Sequence, residues 1–183
     1  MKRSAPFLLL AIALFLQISS RGQNPVNGYA QVTAIAGNTL TVTNVNEAYD
    51  TFEDGEEVIV MQMQDNVAGT NTANNSTFGD ISGIGNAGRW EIRVIASHTE
   101  SLGVPATVTL TTAMAYPYST CAQCRVQLIT RPTFGAPNWT TTAPINALAW
   151  NGSIGGVVAF RVPGTLTVGH DILANGRGFR GGA

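Results

Sequence analysis

The residues best suited to chemistry are the two cysteines of the motif Cys121-x-x-Cys124. Cysteines at this spacing act in redox catalysis when the motif opens a helix beside a βαβ unit, since the helix end lowers the pKa of the first thiol. Here the motif lies in a segment predicted to connect two strands. Zinc takes about four ligands, and only His98 and His170 could add nitrogen ligands. We therefore predict a small disulfide loop or two idle thiols, without redox or metal function.

An acidic segment at residues 47–57 could bind Ca²⁺, a common stabiliser of extracellular β-proteins, through hard oxygen ligands. Its carboxylates are Glu47, Asp50, Glu53, Asp54, Glu56 and Glu57. They lack the Asp-x-Asp-x-Asp-Gly order of a calcium loop, so we favour a solvated turn and predict no cofactor. Calcium stays open as the alternative.

Glycoside hydrolysis is a further candidate chemistry, and it takes two carboxylates held at a fixed distance in a cleft. Asp80, Glu91, Glu100 and Asp171 fall on different predicted elements, and no pair stands out. The sequence contains no Gly-x-Ser-x-Gly elbow, phosphate-binding loop or metalloprotease helix. We therefore predict that the chain is not an enzyme.

Aromatic rings could instead bind sugars by stacking. Tyr116, Tyr118 and Trp139 lie in predicted loops, which makes them the candidate glycan contacts of this sequence. Trp90 and Trp150 lie within strand patterns, which are typical of core residues. We expect the first three rings on the surface and the other two in the interior.

Short β-strands must position these residues. Alternating polar and apolar residues predict strands at 32–35 and 39–43, joined by a two-residue hairpin turn at Gly37-Asn38. A third strand is predicted at 58–64, after the acidic segment. These three strands form one unit at about residues 28–64.

The same pattern returns at about residues 89–131, with strands predicted at 90–95, 107–111 and 126–130. The interval between the second and third strands is 19 residues in each unit, from Thr39 to Val58 and from Thr107 to Val126. We predict an internal duplication that closes residues 23–133 into a small barrel or sandwich. One core should then contain Leu40, Val42, Val60, Val108, Leu110 and Leu128.

The glycine-rich end of the sequence, residues 151–183, predicts three short strands separated by turns. Strands at this spacing have the size of one solenoid coil, and one coil cannot bury its own apolar face. We therefore predict the first coil of a right-handed β-helix whose remainder is missing. Residues 134–150 are predicted to be a connector and cap, with Trp150 and Phe160 covering the start of the coil.

Composition and the N-terminus indicate a secreted all-β protein. Charged residues make up 11% of the 183 residues and the net charge is −1, which excludes the basic surface expected of a nucleic-acid-binding protein. Residues 1–22 combine a basic start, an apolar run at 7–16 and small residues at the end, which predicts a cleaved signal peptide. That run is too short to span a bilayer comfortably, so we expect no membrane contact after cleavage.

The chain resembles the N-terminal region of large secreted and cell-surface proteins of gliding and marine Bacteroidetes, many of them adhesin-like and exported by the type IX system. The resemblance rests on the hairpin at 37–38, the strand ending at 61–64, the loop motifs at 78–81 and 85–88, and the glycine-rich motifs between 150 and 182. It implies an extracellular or outer-surface location. The C-terminal sorting domain expected of type IX cargo does not occur in this sequence, which is consistent with truncation.

Together these observations predict a non-enzymatic surface or adhesin module whose β-domain caps and starts a β-helical stalk. Its partners would be surface glycans or an extracellular polymer, together with downstream coils of the same chain. Two alternatives stay open: an ancillary N-terminal part of a carbohydrate-active β-helix enzyme, and a free-standing carbohydrate-binding module. Gly-rich repeats after Ala183 would support the stalk module, and an acid/base pair there would support the enzyme. A stop codon after Ala183 would support the free-standing binding module.

Overall fold

A computed structural model describes residues 25–67, 74–76 and 83–179. The predicted signal peptide at residues 1–22, the carboxylate of Asp80, the motif at 78–81 and the last four residues of the glycine-rich end lie outside this range. All elements of the described residues are β-strands and none is a helix, which confirms the all-β prediction.

Six strands close into an antiparallel barrel with the order β1-β2-β5-β4-β3-β6, in which β6 also pairs with β1. A closed barrel leaves no unpaired sheet edge, so these strands have no exposed ladder that could recruit another chain. The strands are β1 (Tyr29–Ala36), β2 (Thr39–Asn46), β3 (Glu57–Gln64), β4 (Trp90–Ser101), β5 (Val104–Leu110) and β6 (Arg125–Thr130).

The barrel interior contains the predicted core. Alternate residues of each strand point inward, because successive side chains of a strand face opposite sides of the sheet. All six predicted residues belong to one buried cluster, and each is less than 5% exposed: Leu40, Val42, Val60, Val108, Leu110 and Leu128. Burial of each aliphatic side chain contributes about 1.5–3 kcal/mol to the free energy of unfolding.

The two halves of the barrel occupy equivalent places in the strand order. Leu40 of β2 pairs with Val108 of β5, and Val60 of β3 pairs with Leu128 of β6. In both pairs the partner lies 68 positions further along the chain, from 40 to 108 and from 60 to 128. A duplicated unit would produce this equal spacing, and the duplication itself stays a prediction.

The hairpin of β4 and β5 is longer than the sequence pattern predicts. Residues 98–106 were expected to form a connection, but β4 continues to Ser101 and turns at Leu102-Gly103, both at positive φ. Two shifts of register interrupt the pairing of β4 with β5. Such bulges place extra residues in one strand and break the period-2 alternation, so the pattern ends before the strand does.

Four short strands follow the barrel and pair in parallel. They are β7 (Trp139–Thr140), β8 (Ile145–Asn146), β9 (Leu166–Thr167) and β10 (Ile172–Leu173). β7 pairs with β9 and β8 pairs with β10, in both cases with partners 27 positions apart, such as Trp139 with Leu166. A further parallel bridge joins Thr133 to Arg161, 28 positions apart. We call residues 133–177 the parallel stack.

The parallel stack has two features beyond the sequence pattern. Residues 134–150, predicted to be a connector and cap, contain β7 and β8 and form the first layer of the stack. Residues 157–162, in the glycine-rich end where short strands are predicted, form no ladder except the bridge at Arg161. Their backbone is instead bonded mostly by side chains of the barrel, because both edges of the nearest barrel strand, β6, are already paired with β1 and β3.

Candidate functional site

The cysteine motif forms a disulfide between Cys121 and Cys124 in the loop that precedes β6. The backbone N–H of Cys124 also donates to the carbonyl of Cys121 at 3.0 Å, so the short loop is closed twice. Neither cysteine of the sequence is a free thiol in this structure. A cavity of about 290 Å³ lies beside the loop, between the disulfide and the start of β1.

Asp65 lies beneath this disulfide and ties three loops together at one end of the barrel. Its carboxylate accepts hydrogen bonds from the backbone N–H groups of Asn66 and Asn86, both at 2.7 Å, and from the Ser119 hydroxyl at 3.2 Å. The Sγ atom of Cys124 lies 3.5 Å from the same carboxylate. Burial alone would raise the pKa of Asp65, but these hydrogen bonds hold it below its ordinary value. Asp65 is therefore an ionised structural acceptor.

The acidic segment uses its carboxylates for contacts within the chain. Glu57 pairs with Arg131 at 2.5 Å, and Asp54 accepts a bond from His98 at 2.7 Å. Glu47 and Glu53 accept hydrogen bonds from neighbouring groups of their own loop. The part of the chain that the structure describes contains no group of three or more His, Cys, Asp or Glu side chains that could hold a metal ion.

The other carboxylates considered for hydrolysis do not converge. Glu91 is buried inside one end of the barrel, where it forms an ion pair with Arg93 and accepts the N–H of Ala115 at 2.9 Å. Glu100 lies near the opposite end of β4, and Asp171 is exposed in the parallel stack. The inward position of Glu91 was not predicted, since a charged residue in a strand pattern usually marks the solvated face.

The three rings predicted to contact glycans have different surroundings. Tyr116 is 50% exposed and has the guanidinium of Arg89 over its ring, 5.9 Å from the centroid. Tyr118 packs against the barrel core, and burial together with the nearby Glu91 carboxylate raises its pKa. Trp139 stacks on a neighbouring phenylalanine. Tyr118 and Trp139 are partly buried by this packing, and a glycan contact of any of the three rings stays a prediction.

The position of Trp90 also differs from the predicted one. It was predicted to lie in the core, but it is 54% exposed. As the first residue of β4 it pairs with Met61 of β3, and both side chains lie on the outer wall of the barrel. The alternation along β4 is the reverse of the predicted one, since Glu91 and Ile95 take the inward positions.

The most extensive contact outside the barrel core is made between the barrel wall and residues 154–160, and we call it the seam. Its apolar part contains Tyr29 of β1, Ile129 of β6 and Ile154, all fully or almost fully buried. Around them pack Ile59, Met61, Leu148 and Val157. The seam therefore joins the barrel to the parallel stack through a second, smaller core.

Two buried amide side chains add polar contacts to the seam. Gln127 of β6 donates to the carbonyl of Gly155 at 3.1 Å and accepts its N–H at 3.0 Å. Asn27 bonds both backbone groups of Ala159 in the same way, and it also donates to the carbonyl of Thr130 at 2.8 Å. Both amides are fully buried, so each would cost about 1–3 kcal/mol if left unsatisfied.

A buried phenol supplies the third polar contact of the seam. The hydroxyl of Tyr29 donates to the carbonyl of Val157 at 2.6 Å. Burial raises the pKa of Tyr29 to about 12, so the group stays a neutral donor at physiological pH. The bonded residues are therefore Gly155, Val157 and Ala159, which alternate along the segment. Sequence pattern does not predict these contacts, because isolated polar residues near strands normally indicate a solvated surface.

A polar cleft of about 400 Å³ lies where the seam ends. The carboxylate of Glu57 lies between two guanidinium groups there, 2.5 Å from Arg131 and 3.9 Å from the half-exposed Arg161. Exposed ion pairs of this kind contribute about 0–1 kcal/mol. The cleft, which Glu56 also lines, adds a charged rim to the seam.

The stack itself is packed with aromatic rings. Trp139 stacks on Phe134 with ring centroids 4.4 Å apart, and Phe160 meets both rings at 5.5 to 5.8 Å. Trp150 packs edge-on against Phe179 at 5.4 Å. Phe160 and Trp150 therefore cover apolar surface within the stack, and their covering the start of a coil stays a prediction.

Comparison with known proteins identifies no relative of this chain. No protein-family model, no curated protein and no solved structure matches it. Within the described ranges, no helix is long and apolar enough to cross a membrane.

Proposed function

We propose that this chain is a non-enzymatic, secreted cell-surface module whose barrel caps the start of a right-handed β-helical stalk. The observation that carries this proposal is the constant spacing of the parallel pairs. Two separate strand pairs and one bridge, spread over the whole stack, join residues 27 or 28 positions apart. A chain that repeats its path at one fixed interval is typical of a solenoid, in which each coil contacts its neighbours.

The seam supports the role of the barrel as a cap. A solenoid needs its terminal coil covered, because the end of the stack otherwise exposes apolar side chains and unpaired backbone groups. Here the barrel wall covers residues 154–160 with apolar side chains and three buried hydrogen-bonding groups. Because the barrel is closed, it can end the stack without offering a new edge.

The absence of a catalytic role is proposed from the way buried polar groups are used. Asp65 and Glu91 each accept backbone hydrogen bonds at an end of the barrel, and Gln127 bonds the seam. Groups that are satisfied in this way stabilise a structure and do not activate a substrate. Surface glycans or an extracellular polymer remain the proposed external partners, with Tyr116, Tyr118 and Trp139 as the proposed contacts and Tyr116 half exposed.

Hydrogen exchange in a seam variant tests the capping role. Gln127→Met keeps the side-chain volume while removing both hydrogen bonds to Gly155. We expect the amides of β7 to β10 to lose protection while those of β2 and β5 keep it. Asn38→Ala is the matched control, because it removes one amide bond, to the Leu110 carbonyl at 2.6 Å, at a site distant from the seam.

Two outcomes would contradict the proposal. If the stack keeps full protection in Gln127→Met, the barrel does not hold the stack and is not its cap. If barrel and stack lose protection equally in both variants, the 183 residues form one closed domain without a stalk.

A further inference from the structure

Residues 157–160 present a backbone edge that no described group pairs. The bonds to the barrel are made by odd-numbered residues of this segment, Val157 and Ala159. Within the described part of the chain, the N–H and C=O groups of Val158 and Phe160 have no hydrogen-bond partner. The free edge ends at Arg161, because the N–H of that residue donates to the carbonyl of Pro132 at 2.9 Å.

An apolar groove of about 190 Å³ lies along this segment. Its other wall is the outer face of β3 and β4, with Ile59, Met61 and the half-exposed Trp90. Ile59 and Met61 also belong to the seam, so the groove is an open continuation of a contact already made. Among the described residues, no charged, amide or hydroxyl side chain lines it. A sugar, whose hydroxyl groups need polar partners, therefore fits this groove less well than an aliphatic strand does.

The second layer of the stack is open as well. Within the described ranges, β9 and β10 each pair on one side only, with β7 and β8. Val168, which follows β9, is 58% exposed, and Ile172 of β10 is 38% exposed. A free backbone edge with aliphatic side chains on it is a ready template for another strand.

We propose that the next coil of this chain, formed by residues that follow Ala183, adds a strand along Val158 and Phe160 and fills the groove against Trp90. This inference rests on the proposed function and names the surface that the stalk uses. The spacing of 27 in the stack places the partner of Val158 about 27 positions later, just beyond Ala183. The barrel would then contact two successive coils, one through the seam and one through Trp90.

Fluorescence quenching and hydrogen exchange test the inference on two lengths of the protein. In the 183-residue chain, acrylamide should quench Trp90 freely, as judged by the difference between the wild type and Trp90→Phe. In the chain extended by the coils that follow Ala183, this difference should fall several-fold, and the amides of Val158 and Phe160 should become protected. Val158→Pro removes the N–H donor at position 158 and should abolish the protection of the Phe160 amide. Val158→Ala keeps that donor and should retain the protection.

The outcomes separate this inference from the proposed function. If β7 to β10 are protected but Trp90 stays equally quenchable in the extended chain, the inference fails and the capping role stands. A reading frame that ends at Ala183 would overturn the inference too, and would leave the seam as the cap of a two-layer stack. If β7 to β10 are unprotected in both lengths, the proposed function itself fails.

Discussion

Tyr29 gives the seam a measurable titration. Its ordinary pKa of 10.0 is raised to about 12 by burial, so ionisation is less favourable in the folded chain than in the unfolded one. The folded state therefore holds its proton at higher pH, and stability must fall as the pH rises from about 10 toward 12. At about 1.4 kcal/mol for each pKa unit, the loss is on the order of 3 kcal/mol. The described residues contain no lysine, so tyrosines dominate this range.

Urea denaturation of the wild type and Tyr29→Phe at about pH 8 and about pH 11 measures this effect. At pH 8 the variant should be less stable by about 1 kcal/mol, because the carbonyl of Val157 loses its donor. At pH 11 the difference should shrink or reverse, since only the wild type carries the titrating group. Tyr118→Phe is the control: its pKa is also raised, but it lies away from the seam. Equal pH dependence in the wild type and Tyr29→Phe would refute the reasoning.

Three further predictions concern the barrel and its loops. Leu110→Ala should lower the free energy of unfolding by about 2–5 kcal/mol, against less than about 1 kcal/mol for the half-buried Thr109→Ala, as chemical denaturation will show. Asp50→Asn should stabilise the chain near neutral pH, because burial raises the pKa of Asp50 and its buried Oδ2 has no hydrogen-bond partner among the described residues. Wild-type stability should therefore fall as the pH rises through that pKa, and a pH series of denaturation curves should show a flatter profile for the variant. Replacing both Cys121 and Cys124 by Ser should cause only a modest loss of melting temperature, because the disulfide closes a very short loop, and a collapse of the barrel would contradict this.

The barrel could be predicted because its core strands alternate strictly. At residues 39–43 of β2 and 107–110 of β5 polar residues alternate with buried aliphatic ones, so Leu40 and Val108 identify both the strands and their shared interior. The alternation failed where the inward residues are charged. Glu91 and Arg93 form a buried ion pair at one end of the barrel, and the pattern of β4 was therefore read in reverse, with Trp90 inside.

The seam and the first layer of the stack could not be predicted, for two physical reasons. β7 and β8 are two residues long, which is too short for any period to show. Asn27 and Gln127 are buried only because residues 154–160 return over them, more than a hundred positions later for Asn27. Whether such a polar residue is buried depends on a partner far away in the sequence, and the local sequence pattern gives no information about that partner.

Residues 133–177 form parallel layers whose paired residues lie 27 or 28 positions apart, and we propose that the barrel holds these layers. Backbone nuclear Overhauser effects between Thr140 and Thr167, and between Asn146 and Leu173, measure that register directly. Both contacts are expected, together with slow exchange of the Thr141 and Ala147 amides, which donate to the second layer at 3.1 Å. Absence of both contacts, with exchange of these amides at the rate of an unstructured chain, would contradict this register.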